Sequence, residues 1–128
     1  MAIEKVLTTA APAPIGPYSQ AVRAGNLVFV SGQIPADPES GEMIDGDVAT
    51  LTRRCMDSIL GILSEAGMTA ANIVKTGIYL ADMRDFAAMN EAYGSYFTEG
   101  IPPARAAVQP AQLPKNARIE IEVIASSD

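Results

Sequence analysis

Glu120, Glu122 and Arg105 are the residues best able to do chemistry in a chain with no histidine and a single cysteine. In RIEIEVIA (118–125), Ile119, Ile121 and Val123 mark one face of a strand, and Glu120 and Glu122 fall on the other. That second face is either the wet side of the strand or a carboxylate surface turned toward a cleft. In a cleft, a glutamate holding a water can act as general base, a role worth about 10²–10⁴-fold. Arg105, within IPPARAAVQ, is either an edge-strand arginine whose head reaches water or a guanidinium that grips a carboxylate at two points. A hairpin between the last two strands, turning through 110–116, would set Arg105 roughly opposite residues 120–122.

Four other positions carry weaker signals. Tyr18 follows Ile15-Gly16-Pro17 at a strand start, where a tyrosine is usually packing. Ser31-Gly32-Gln33 ends an apolar run, and the glycine would let backbone amides approach a ligand closely. Asn90 lies within a helical segment as a surface or cleft residue. Cys55 sits on an apolar stripe and reads as an inert core thiol.

The absence of histidine removes the usual base near neutral pH, the usual metal ligand and every Ser–His or Cys–His pair. With one cysteine besides, neither a zinc site nor an intrachain disulfide is expected. No GxGxxG or P-loop pattern suggests a nucleotide. Chemistry is left to Arg, Glu/Asp, Tyr, Ser, Lys or backbone groups, or to a bound cofactor. Net charge is -6, the pI is about 4.5, and no basic run exceeds Arg53-Arg54, which disfavours nucleic acid and anionic membranes as partners. The N-terminus lacks an apolar stretch of signal-peptide length and no segment approaches a membrane span, so a cytoplasmic location is expected.

The elements that must position these residues follow from periodicity. The 128 residues predict one domain spanning 1–128. A short strand is expected over 3–7, then a hairpin turning at Ala24-Gly25-Asn26, with consecutive apolar residues Leu27 to Val30 implying a strand covered on both faces. A turn-rich loop follows. From about Asp47, Val48, Leu51, Cys55, Ile59, Ile62, Leu63 and Ala66 recur at helical spacing, stopped by Gly67. IVKTGIYLA (73–81) reads as a strand. A second helix should begin near Asp82, bury Phe86, Met89, Tyr93 and Phe97, and end at Gly100 before Pro102-Pro103. ARAAVQ and RIEIEVIA supply the last two strands. The order is βββαβαββ, an α+β arrangement with two helices on one face of one sheet. The opposite, largely apolar face then calls for burial against copies of the chain, a homo-oligomer.

The segments IGPYSQA (15–21), SGQIP (31–35), DFAAMNEAY (85–93), PPAR (102–105) and LPKNARIEIEVIA (113–125) together resemble the RidA, or YjgF, family. They match in order over essentially the whole chain. The resemblance implies a chorismate-mutase-like fold, a homotrimer, and active sites in the clefts between subunits. It implies cofactor-free and metal-free hydrolysis of reactive enamines and imines, of the 2-aminoacrylate and 2-iminopropanoate type, to a 2-keto acid and ammonium. In that reading Arg105 binds the substrate carboxylate, Glu120 directs the water, Tyr18, Ser31 and Gly32 line the pocket, and Asn90 lines the same cleft. Glu122 takes a supporting role.

The chain departs from the family in two places. Ala107 stands where many members have a cysteine, so thiol-based regulation there is not expected. The segment FTEGIPPAR is shorter than in some members, which bears on the cleft rim and substrate size. Three other readings share these residues: a trimer that only binds small 2-keto acids, a deaminase dedicated to one pathway's larger enamine, and an endoribonuclease or translation inhibitor, which the net charge disfavours.

Overall fold

Segments that alternate apolar and polar residues become strands, and those with three- and four-residue spacing become helices, in the computed structural model, which describes residues 2–128. The strands are β1 (Ile3–Val6), β2 (Ala21–Ala24), β3 (Leu27–Gln33), β4 (Ile73–Leu80), β5 (Ala104–Val108) and β6 (Ile119–Ser126). Helix α1 (Val48–Glu65) joins β3 to β4, and α2 (Phe86–Gly94) joins β4 to β5. This is the expected βββαβαββ order. The six strands form one mixed sheet in the order β1-β2-β3-β6-β4-β5, with only β4 and β5 parallel.

The expected hairpin between the last two strands does not form. β6 pairs with β3 and β4, and β5 lies beyond β4 at the sheet edge. The reason lies in the strands themselves. β6 carries Ile119, Ile121, Val123 and Ala125, all buried, and earns a central place between two long strands. β5 is five residues of mostly exposed Ala and Val, suited to an edge. The crossover through α2 then delivers β5 parallel to β4. Arg105 is level with Thr76 of β4, and Thr76 with Val123 of β6.

Both helices pack on one sheet face. Asp47 caps α1 by accepting from the Thr50 amide at 2.9 Å, and Gly67 (φ +77°) terminates it. Arg23 of β2 donates to the Ala66 carbonyl at the same end, where a cation is favoured. Cys55, Met56, Ile59, Ile62 and Leu63 are fully buried on this helix, which rests on β3 and β6. Burial pushes the Cys55 thiol far up, so it is an inert core group as expected.

α2 stops at Gly94, six residues short of the expected end at Gly100. Ser95 Oγ turns back to the Ala92 carbonyl at 2.6 Å, and the amides of Tyr96 and Phe97 bond three residues back, tightening the chain out of the α-helix. Half of the expected stripe is buried: Phe86 and Phe97 are only partly so, and Phe97 falls beyond the shortened helix. Met89 and Tyr93 are buried, and the Tyr93 and Phe97 rings lie 4.8 Å apart. The other sheet face is open, with Phe29 40% and Val108 48% exposed.

Candidate active site

Glu120 lies on the open face of β6, and a glycine on each neighbouring strand makes room for the glutamates there. A Cβ at Gly32 of β3 would sit 2.0 Å from Glu120 Oε2, so the carboxylate occupies the volume of the missing side chain. Glu122 similarly rests on Gly77 of β4, where a Cβ would be 3.0 Å from its Oε1. Next to Gly32 the β3–β6 ladder slips. Val30 faces Val123 but Gln33 faces Ile121, so β3 holds one extra residue at Ser31-Gly32. Such a bulge re-aims the strand locally and ends regular pairing.

The bulge opens onto a cavity of about 680 Å³, lined by Tyr18, Ser31, Gly32, Glu120 and Glu122 among others. Its outer wall is the 12–15 segment, and buried Gln20 pins that segment down. The Gln20 side chain accepts from the Thr8 amide at 2.8 Å and donates to the carbonyls of Thr8 and Pro12 at 3.0 and 2.9 Å. Ser31 Oγ donates to the Ser19 carbonyl at 2.6 Å, tying the bulge to the same wall. Tyr18 is 53% exposed at the mouth, its hydroxyl accepting from the Ile15 amide at 3.4 Å. Lys115, which also lines the cavity, adopts φ +55° and is followed by Asn116 at +54°.

Partial burial, and then the neighbouring Glu122, raise the Glu120 carboxyl above its ordinary value. Among the described residues no side chain or backbone N–H donates to Glu120 in the hydrogen-bond network, whereas Glu122 Oε1 accepts from the Tyr79 hydroxyl at 2.7 Å. A carboxylate with raised proton affinity and unused acceptors is prepared to hold and deprotonate a water.

Arg105 is built on the other side of the sheet. Its guanidinium lies against α2, 5.1 Å from the Tyr93 ring centroid and 5.5 Å from that of Phe86. Its Nη1 donates to Asn90 Oδ1 at 2.6 Å. The Tyr93 hydroxyl is in turn 2.8 Å from Thr76 Oγ1 in the core, which fixes the ring that Arg105 stacks on. Arginine has five donors in a planar fork, and this arrangement leaves most of them for a carboxylate.

The six expected site residues therefore form two groups. Tyr18, Ser31, Gly32 and Glu120 share one cavity, and Arg105 and Asn90 share the helix side of the β5 edge. Within one chain the two groups face opposite sides of the sheet. Sequence reading assigned no role to Gln20, Gly77, Tyr79 or Lys115. Gln20 lies inside the IGPYSQA motif, and a polar residue beside a strand of apolar neighbours was the available signal. Tyr79 and Gly77 needed the β4–β6 register. Among the described residues no group of three or more His, Cys, Asp or Glu is placed to hold a metal ion.

Comparison with known proteins gives a consistent picture. The sequence model of the family described as Endoribonuclease L-PSP matches residues 8–127. A RutC family protein of Pyrococcus abyssi is 52% identical over 98% of both chains. The 2-iminobutanoate/2-iminopropanoate deaminase of Mus musculus is 48% identical over 96% of this chain and 91% of its own length. Among solved structures, Escherichia coli TdcF with bound serine superposes with a TM-score of 0.93 at 39% identity, covering 98% of this chain and 99% of that one.

Proposed function

The chain belongs to the Endoribonuclease L-PSP family, also known as YjgF or RidA, and from that premise we propose that it hydrolyses small 2-imino acids, and the enamines that tautomerise to them, to 2-keto acids and ammonium. The observation that carries this reading is the division of the site. Arg105 is a pre-oriented carboxylate grip on one sheet face, and Glu120 is a base without a protein donor on the other. Contact between the Arg105 edge of one copy and the Glu120 cavity of another completes a site that one chain does not. In a homotrimer each interface would hold one such site.

The chemistry suits these groups. An imine carbon is already electrophilic, so water adds to it directly. Arg105 holds the substrate carboxylate in a two-point grip and fixes the C=N bond over Glu120. Glu120 takes a proton as the water oxygen bonds to carbon, while the C=N electron pair moves to nitrogen. Glu120 gives that proton to nitrogen, which yields the neutral carbinolamine; it then takes the carbinolamine hydroxyl proton and passes it to nitrogen, so that the C–N bond breaks, the C=O bond forms and ammonia leaves. The ammonia is protonated in solution. Tyr18, Ser31 and Gly32 shape the pocket around the side chain.

Relatives support the reading. Mammalian ones carry the deaminase name, and TdcF holds serine, a small amino acid with the carboxylate this scheme requires. Nuclease activity, which the family description suggests, is less favoured by a net charge of -6 and by a cavity with Lys115 as its cation. The test is release of ammonium and keto acid from imines made in situ by an amino-acid oxidase with catalase. Faster release with wild type, and a roughly 10²-fold loss of kcat/KM in Arg105→Ala, are expected. Equal rates with and without the folded protein on both alanine- and leucine-derived imines would exclude the deaminase and leave a metabolite-binding protein.

A further inference from the structure

Glu122 and Tyr79 form a second polar unit beside Glu120 that the reaction scheme does not use. Tyr79 is the direct cross-strand partner of Glu120, yet its hydroxyl passes Glu120 and donates to Glu122 Oε1 at 2.7 Å. Glu122 is two residues along the same strand face, roughly 7 Å away by strand geometry. Gly77 is what lets Glu122 lie down within reach of that hydroxyl. The result is asymmetric. One glutamate is hydrogen-bonded and fixed, and the other is left without a donor over Gly32.

Had Tyr79 bonded Glu120 instead, the bond would have favoured its ionised form and turned it from the cavity. We infer that Glu122, anchored by Tyr79, is a positioning residue for Glu120. Its charge keeps the Glu120 carboxylate turned toward Gly32 and the cavity, and sets the pH range over which that carboxylate works as a base. The titratable and charged groups facing Glu120 are Glu122 on its own strand, Tyr79 on β4, Lys115 on the 114–116 loop, Tyr18 at the cavity mouth, and buried Cys55 through the sheet on α1. Of these, Glu122 is the one carboxyl group. The direction of the Glu120 shift, raised by burial and then by Glu122, agrees with this arrangement.

The consequence for turnover rests on the deaminase reading, but the effect itself is testable without it. Side-chain carboxyl carbons of ¹³C-labelled wild type, Glu122→Gln and Tyr79→Phe would be titrated by NMR, with Glu120→Gln assigning the Glu120 signal. The Glu120 midpoint should fall by about half to one pH unit in Glu122→Gln, as expected for removing a like charge at that distance at intermediate dielectric. In deaminase assays the acid limb of kcat/KM should move by the same amount. Tyr79→Phe should lower kcat several-fold at unchanged KM, and should add little further loss in the Glu122→Gln background, because Tyr79 acts through Glu122. A Glu120 midpoint unmoved in a well-folded Glu122→Gln variant would overturn the inference, as would fully additive losses from the two substitutions. If wild type shows no deaminase activity while the NMR midpoint shifts, the reaction assignment fails and the positioning role stands.

Discussion

At the residue scale, Glu120 combines two properties that a water-activating base needs: raised proton affinity and unused acceptors. Glu120→Gln should lower kcat by about 10²–10⁴-fold with little change in KM, measured on the alanine-derived imine. The same substitution should affect stability in a pH-dependent way. Burial and Glu122 raise the folded-state value of Glu120 above its unfolded value, so the folded chain binds that proton more tightly. The associated stability is fully present below the ordinary carboxylate range and is lost as pH rises through the raised folded value. Glu120→Gln should therefore raise Tm at neutral pH, and the gain should shrink toward zero as the buffer falls below the ordinary carboxylate value. Thermal melts across that range check the sign.

The residue types of the site were legible in the sequence. A histidine-free chain with alternating glutamates on one strand face narrows the candidate bases, and family motifs picked out Arg105, Tyr18, Ser31, Gly32 and Asn90. What was not legible was which sheet face each would occupy. That depends on β5 sitting at the edge beside β4, and a five-residue strand with three alanines carries no pattern that says so.

At the element scale, the β3 bulge is what turns a strand surface into a cavity. Gly32→Ala would place a methyl in the volume of the Glu120 carboxylate. The side chain must then swing out, and activity should drop by at least an order of magnitude while the fold persists, as read by circular dichroism beside the imine assay. The Tyr93–Thr76 hydrogen bond does comparable work for Arg105. Thr76 is fully buried, so Tyr93→Phe leaves its hydroxyl without that partner, at a cost of about 1–3 kcal/mol in chemical denaturation. The ring remains for Arg105 to stack on, so KM should change less than stability does. Helix α1 and strands β1, β4, β5 and β6 were expected within a residue or two, and the β2–β3 hairpin turns where Ala24-Gly25-Asn26 signalled it. α2 was expected too long, because Gly100 and the following prolines look like a stop signal, whereas Ser95 ends the helix by competing for the Ala92 carbonyl.

At the scale of the whole molecule, the open face joins exposed Phe29 and Val108 with a polar strip of Glu120, Glu122 and Tyr79. Two helices are enough to cover one side of six strands and no more. The composition, 48% hydrophobic in a small chain, already implied a second covering, and the proposed trimer provides it. Phe29→Asp should shift the chain toward monomer in sedimentation and abolish deaminase activity while leaving far-ultraviolet circular dichroism intact.

If Arg105 and Glu120 of one site come from different copies, mixed subunits must complement each other. Arg105→Ala and Glu120→Ala proteins, each inactive alone, would be unfolded together, refolded at equal ratio and assayed on the alanine-derived imine. A cyclic trimer with sites between copies regains one intact site in every mixed assembly, so about a quarter of wild-type activity should return. Refolded mixtures that assemble as mixed trimers, verified by mass, yet stay as inactive as either parent would rule out sites shared between copies and place both residues' work within a single chain.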